Sequence, residues 1–366
     1  METFPLDQEQ AGNVSFDEYD GVGMPKTLRA VTIKDVAIKA GTSIATVSYV
    51  FSNAERYIRP ELRERVQAAA AEIGYVKNAA ASSIKGKRRG ILAIVVAQFG
   101  NSFFTRMCVE IVSIARQEGY VVTLCNSDED PEQERIILER LVAQRIDGCI
   151  LCPALSREEN TELLRRHRIP YVILERSFPD SSMAHNFVGH DNFQSAYLAT
   201  LHLLAAGHRR IAFSGWDSPI PNVRERMDGY QAALREYGVA AENELILTDE
   251  LSADAGRRMG AQLMASGVSA AVLGHHETAK GALLHFQDHG VRWPEDISLV
   301  MIGTPEWAGV LLPQLTCIER PEHEMAEASA SLLLNSIKTP DRQATNQLFR
   351  CVVKEGQSVL AYSQVP

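Results

Sequence analysis

The chain has 366 residues, 45% of them apolar and 23% charged, with a formal net charge of −9. That length exceeds one ordinary domain and suits a small head joined to a two-lobed body. No apolar run reaches the roughly 18–20 residues that a spanning helix needs, so no membrane partner is expected; six cysteines are too few for a disulfide framework, and a reducing cytoplasm suits them.

The charge is unevenly spread. Residues 1–25 carry six carboxylates and no base, −6; residues 26–89 carry thirteen Lys or Arg against five acids, +8; the remainder carries −11. A basic front on an acidic body is the footprint of a nucleic-acid binder that must not spread itself over every phosphate. The acidic leader (residues 1–26) has few large apolar side chains and no apolar signal-like core, so it is expected to be disordered rather than a secretory signal. Met24 directly precedes the basic segment and is the expected true start.

Residues 27–75 read as three short helices. TIKDVAIKA opens with Thr32 as cap and Asp35 three residues on, as in a capping box, and Gly41 breaks it. Ser43 caps a second helix, SIATVSYVF, and after a polar loop a third runs from Pro60 to about Ile73, closed by Gly74. Residues 76–89 lack apolar periodicity and end in a basic cluster, the pattern of a linker or hinge.

From Gly90 onward, short β-rich runs alternate with amphipathic helices: ILAIVV, VVTLCN, GCILCP, YVILE, RIAFSG, LILTD, AAVLG and ISLVMIG. Between the first two, Phe104, Cys108, Ile111, Val112 and Ala115 share one helical face. This alternation predicts parallel sheets flanked by helices, with too many strands for one sheet. The expected fold is therefore an all-α head of three helices plus an α/β two-lobed core at 90–366. Lobe 1 is expected at about 90–189 plus 321–340, and lobe 2 at about 190–318 plus 345–366. Ligands in such folds sit at the carboxyl ends of the strands.

The stretch from Val31 to Val96 closely resembles the lactose-repressor (LacI/GalR) family. So do later segments of the body, among them RIDGCIL, GHDNFQSAYLATLHLLAAGHRRIAFSG, RMDGYQAAL and WPEDISLVMIG. The resemblance implies a helix-turn-helix head, a hinge that orders on DNA, and a dimerising core like the periplasmic binding proteins. It implies a double-stranded, pseudo-palindromic operator and a small-molecule effector as partners, a homodimer or tetramer as assembly, and no cofactor.

In the head, a reading helix lays its N-terminal residues on base edges in the major groove. Here those residues are Ser43, Ile44, Ala45, Thr46 and Ser48, while Thr32 and the helix starts can hold phosphates. Ile44 and Ala45 fall where the family reads bases; both are apolar, fit to meet a thymine methyl but unable to form bidentate bonds. Tyr49 stands where some members carry a base-reading Arg or His. The segment NAAASSIK resembles the family's hinge helix, with Ile84 at the position that wedges into the minor groove and Lys85 after it. Ser82 and Lys77 depart from a commonly basic residue and a common proline. A three-helix bundle that ignores DNA, and a plain basic linker, are the blander readings of these two segments.

For the effector, the resemblance points to Phe103 and Phe104 after the first strand, Glu175 and Arg176 after the fourth, Arg226 in RMDGY, and His276. Two usual acidic anchors are missing, because His276 and Pro305 stand where Asp is common. An anionic or aromatic effector therefore fits better than a simple sugar bound in the usual way; a core kept only for dimerisation is the alternative. Cys149 and Cys152 have metal-like spacing, but three apart on a strand they point to opposite faces. Neighbouring His275 and His276 are likewise expected to turn apart, so no metal is expected. No P-loop, GxSxG elbow or HExxH occurs. An enzyme reading has only the fold in its favour, and a receptor without DNA leaves residues 31–89 unexplained.

Overall fold

A computed structural model describes residues 30–51, 57–76, 88–178, 181, 183–340 and 343–362. The expectations for the leader, Met24, Lys77, Ser82, Ile84 and Lys85 lie outside the described residues. The chain divides into two units, 1–87 and 88–366.

The head contains α1 (Ile33–Ala40), α2 (Ile44–Phe51) and α3 (Pro60–Glu72). The Thr32 N–H donates to the Asp35 carboxylate at 2.8 Å, which occupies a backbone donor at the start of α1. Gly41 then takes a left-handed φ of +62°, which a side chain would oppose, and turns the chain into α2. Ser43 Oγ accepts from the Thr46 N–H at 3.1 Å and so caps α2, and Pro60 opens α3. One apolar stripe per helix meets in the centre: Val36, Ala37 and Ala40 from α1, Val47 and Val50 from α2, Val66, Ala69 and Ala70 from α3. Lys39 and Glu72 add an exposed ion pair at 2.5 Å between the first and last helices.

In the second unit the first lobe follows strand and helix in turn: β1 (Ile91–Val96), α4 (Ser102–Gln117), β2 (Val121–Asn126), α5 (Pro131–Ala143), β3 (Gly148–Leu151), α6 (Thr161–Arg166), β4 (Tyr171–Leu174) and β5 (Phe187–His190). The second lobe begins with α7 (Asn192–Ala205) and continues through β6 (Ile211–Ser214), α8 (Pro221–Glu236), β7 (Ile246–Leu247), α9 (Ala253–Ser266), β8 (Ala270–Leu273), α10 (His276–Asp288), β9 (Ser298–Ile302) and β10 (Thr316–Glu319). The chain then returns to the first lobe for α11 (Glu322–Lys338) and β11 (Asn346–Phe349), and ends in the second with β12 (Val352–Lys354).

The first sheet has the order β11-β5-β4-β3-β1-β2 and its pairings are all parallel. The second runs β12-β10-β9-β8-β6-β7, with only β12 antiparallel to its neighbour. Both central sheets are apolar on both faces, as parallel sheets covered by helices must be. Leu92, Ile94 and Val96 pack on one side of the first sheet with α4 and α11, and Ala93 and Val95 pack on the other with α5 and α6.

Residues 346–349, expected in the second lobe, instead extend the first sheet by pairing with β5. The return therefore falls after Phe349, and the second piece of lobe 2 starts near 352 rather than 345. LILTD shrinks to the two-residue edge strand β7. Among the described residues no helix is long and apolar enough to cross a membrane.

Candidate functional site

Chain crossings between the lobes bring the carboxyl ends of both parallel sheets face to face. Asn101 caps α4, accepting from the Phe103 N–H at 3.1 Å, which fixes Phe103 and Phe104 just past β1. Their rings meet edge to face with centroids 5.2 Å apart. Glu175 leaves β4 at a φ of +68°, a left-handed conformation that costs a non-glycine residue about 1–3 kcal/mol. The twist turns its carboxylate inward: Oε2 bonds His190 Nδ1 at 2.8 Å and Oε1 accepts from Asn222 Nδ2 at 3.0 Å. Asn222 belongs to α8, so this bond ties one lobe to the other.

Arg226, one turn further along α8, is buried. It donates from Nε to Asn192 Oδ1 at 2.9 Å and from Nη1 to the Gly274 carbonyl at 2.7 Å. Its guanidinium lies 5.3 Å from the Trp216 ring. Arg176 grips the Glu129 carboxylate with both nitrogens and reaches the Pro153 carbonyl at 3.2 Å. That carbonyl is held in place by the next residue, whose N–H donates to the buried Glu134 carboxylate at 2.7 Å. Arg320, just past β10, stacks its guanidinium 3.8 Å from the centre of the Phe103 ring.

Expected site residues therefore converge. Phe103, Phe104, Glu175, Arg176 and Arg226 line one chamber of about 40 Å³, and Arg226, His276 and Pro305 line an adjoining chamber of about 10 Å³. Asn101, Arg226, His275 and Arg320 are common to both. Such volumes hold little more than water, so the lobes stand closed. A larger hollow of about 760 Å³ runs along the outer side of Arg106, Glu322 and Arg350; it is open and strongly charged, and the aromatic and buried polar groups converge on the small chambers instead.

One expectation fails. His275 and His276 do not turn apart: their rings sit 4.2 Å apart and tilted by 37°. The strand has already ended at Leu273, His275 is the cap of α10 and His276 its first residue, so strand alternation no longer governs their directions. Cys149 and Cys152 do part, into the cores on opposite faces of the first sheet. On the surface, Glu110, His323 and Glu327 bring ligand atoms within 4.8 Å of one another, and both nitrogens of that imidazole already face carboxylates.

The local field is positive. Burial lowers His275 well below the usual imidazole range, and His276 falls to about 4 through burial and the cations Arg320 and Arg226. Burial, then Arg320, brings Arg226 down to about 10. Burial alone would raise Glu175, but His190, Arg320 and Arg226 outweigh it and hold the carboxyl below its usual value. Burial also lowers His190, whose Nδ1 faces the Glu175 carboxylate while its Nε2 makes no hydrogen bond among the described residues.

Sequence reading missed Arg320, His190, Asn192, Asn222, Trp216 and His275. His190 ends its strand and the others lie one or two residues past a strand end or on the first turn of a helix, so position at a strand's carboxyl end was the available signal.

In the head, Ile44, Ala45, Ser48 and Tyr49 form the exposed side of α2, opposite buried Val47 and Val50. Thr46 is half-buried and its hydroxyl lies 2.9 Å from Ser43 Oγ within the cap. The Thr32 hydroxyl donates to Asp35 at 2.6 Å.

Comparison with known proteins agrees with this layout. Residues 32–78 match the family described as bacterial regulatory proteins, lacI family, and residues 89–352 match periplasmic binding proteins and sugar binding domain of LacI family. The chain is 31% identical to the HTH-type transcriptional repressor PurR of Vibrio atlanticus over 315 residues, covering 85% of this chain and 93% of the relative. It is 32% identical to the repressor of the same name in Vibrio vulnificus over 322 residues, 87% and 95% of the two chains. Among solved structures, the lac repressor dimer bound to operator and the anti-inducer ONPF superposes with a TM-score of 0.77 at 24% identity, covering 91% of this chain and all of that one. The complex of transcriptional regulator CelR with cellobiose gives 0.68 at 24% identity, covering 90% and 99%; both likenesses are of fold. Head, core and relatives together make the chain a member of the LacI family of bacterial transcriptional regulators, a DNA-binding protein with an effector-binding core.

Proposed function

We propose that the protein is a cytoplasmic repressor, without catalytic activity, that binds a pseudo-palindromic operator as a homodimer or a tetramer built from dimers. The observation that carries this reading is the outward side of α2. Ile44, Ala45, Ser48 and Tyr49 stand exposed behind a capped helix start on a strongly basic segment. That side is small enough to enter a major groove, and its apolar members favour thymine methyl groups. Thr32, Ser43 and Thr46 sit at or near helix starts, where backbone N–H groups position phosphates. Ile84 would act as the minor-groove wedge and Lys85 as a phosphate contact. Repression, rather than activation, is supported by the relatives named as repressors.

The effector would bind between the lobes against Phe103, Phe104, Glu175, Arg176, Arg226 and His276, and would not be a simple sugar held in the usual way. It shifts DNA affinity only if it binds the open and closed forms differently.

Titrating full-length protein onto duplex DNA at rising potassium chloride tests the reading. The logarithm of the binding constant should fall linearly with log salt, by about 0.9 for each phosphate neutralised. A monomer in solution, or no retention on any duplex at low salt, overturns it.

A further inference from the structure

We propose that the effector is an oxyanion, a carboxylate or a phosphate ester, and that Arg320 is the residue that selects it. This rests on the reading of the interlobe cleft as the effector site and names the chemistry the cleft accepts.

The argument is a count of free hydrogen-bonding capacity. Among the described residues lining the two chambers, Glu175 carries the only carboxylate. Its two oxygens are occupied, Oε2 by His190 and Oε1 by Asn222. Arg176 is matched by Glu129. Arg226 is held by an amide oxygen and a backbone carbonyl, neutral acceptors rather than a carboxylate. The Arg320 side chain is only 12% exposed, and its buried Nε–H has no hydrogen-bond partner among the described residues. The nearest opposite charge, Glu322, lies 3.6 Å from Nη2 and is already bonded twice by Arg106. His276 Nε2 also makes no hydrogen bond among the described residues, with Glu277 3.5 Å away.

An unmatched buried donor is costly, and a buried cation without a full partner more so. Such a group persists where something else completes it. Gly303, at a φ of +93°, leaves room beside it: a Cβ there would come within 3.1 Å of Arg320 Nη2. Phe103 lies against the guanidinium and holds it in place, and Arg320 lines both chambers together with Arg226. Two fixed cations and a free N–H suit oxygen atoms carrying negative charge. A neutral polyol would bring no charge to set against these cations, and both Glu175 oxygens already accept a hydrogen bond.

Isothermal calorimetry of the full chain with inorganic phosphate, benzoate, and the neutral probes benzamide and ribose tests this. Saturable binding of phosphate or benzoate is expected, tighter than either neutral probe; which of the two binds tells a phosphate ester from an aromatic carboxylate. Arg320→Gln should weaken the bound anion at least tenfold, and Arg320→Lys should weaken it less. Circular dichroism spectra and melting curves of Arg320→Gln and Arg320→Lys, read alongside the calorimetry, keep loss of binding distinct from misfolding. No saturable anion binding, or neutral probes binding as well as the anions and unaffected by Arg320→Gln, overturns the proposal while leaving the cleft as effector site. Anion binding through Arg320 that leaves operator affinity unchanged at saturation sustains the anion site and removes the effector reading.

Discussion

Glu134 offers a prediction whose sign can be worked through. Its side chain is wholly buried on α5, with Oε2 accepting from the Ala154 N–H at 2.7 Å and Oε1 from Asn160 Nδ2 at 2.8 Å. These bonds fix the loop after β3 whose Pro153 carbonyl braces Arg176. Burial dominates and raises the carboxyl to about 7, from 4.5. A carboxyl raised on folding binds its proton more tightly in the native state. Stability is therefore greatest below the unfolded value and declines as pH rises, levelling off above about 7. At about 1.4 kcal/mol per pH unit, the difference amounts to about 3 kcal/mol. Glu134→Gln cannot titrate, but its amide N–H₂ must face one of the two existing donors, a constant loss of about 1–3 kcal/mol. The variant should thus be clearly less stable than the parent at pH 5, and equal to it or better at pH 8. Urea unfolding followed by circular dichroism at fixed protein concentration, from pH 5 to pH 8, reads this difference. A gap that stays constant across the range, or widens with pH, would show that the two donors keep Glu134 ionised and refute the reasoning.

Other expectations concern packing and closure. Ser43→Ala removes the cap of α2 and should cost about 1 kcal/mol, lowering the head's melting by roughly 5 °C in calorimetry; no change would mean that the cap bond to Thr46 adds nothing. Asn222→Ala breaks the bonds that join α8 to Glu175 across the lobes, and the closed form should lose about 1–3 kcal/mol relative to the open one. Faster amide exchange around Glu175 and α8 would report this, and unaltered exchange would count against the bond as a latch. Gly281→Ala should destabilise the second lobe by about 1–3 kcal/mol, because a Cβ there would stand 1.9 Å from the Ala253 carbonyl oxygen where α9 and α10 touch. An unchanged urea midpoint would show that the helices can part freely.

Local chemistry makes much of this protein legible in its amino-acid sequence. Thr32, Gly41, Ser43, Pro60 and Gly74 bound the head helices because caps and breakers act within a few residues of themselves. The central strands announce themselves as apolar runs because both faces of a parallel sheet are covered. Charge is additive along the chain, so the basic front end is visible in the order of residues alone. Tertiary structure alone decides where β11 pairs, how far His275 and His276 stand from a strand's alternation, and which polar groups finish without partners. An edge strand such as Asn346–Phe349 has no strong apolar signal of its own, and its lobe is chosen by the neighbour it pairs with. Arg320 carries the same side chain in sequence as any surface arginine. Only closure of the lobes over Phe103 strips it of water and leaves its Nε–H unanswered, because desolvation is a property of surroundings that arrive from distant parts of the chain.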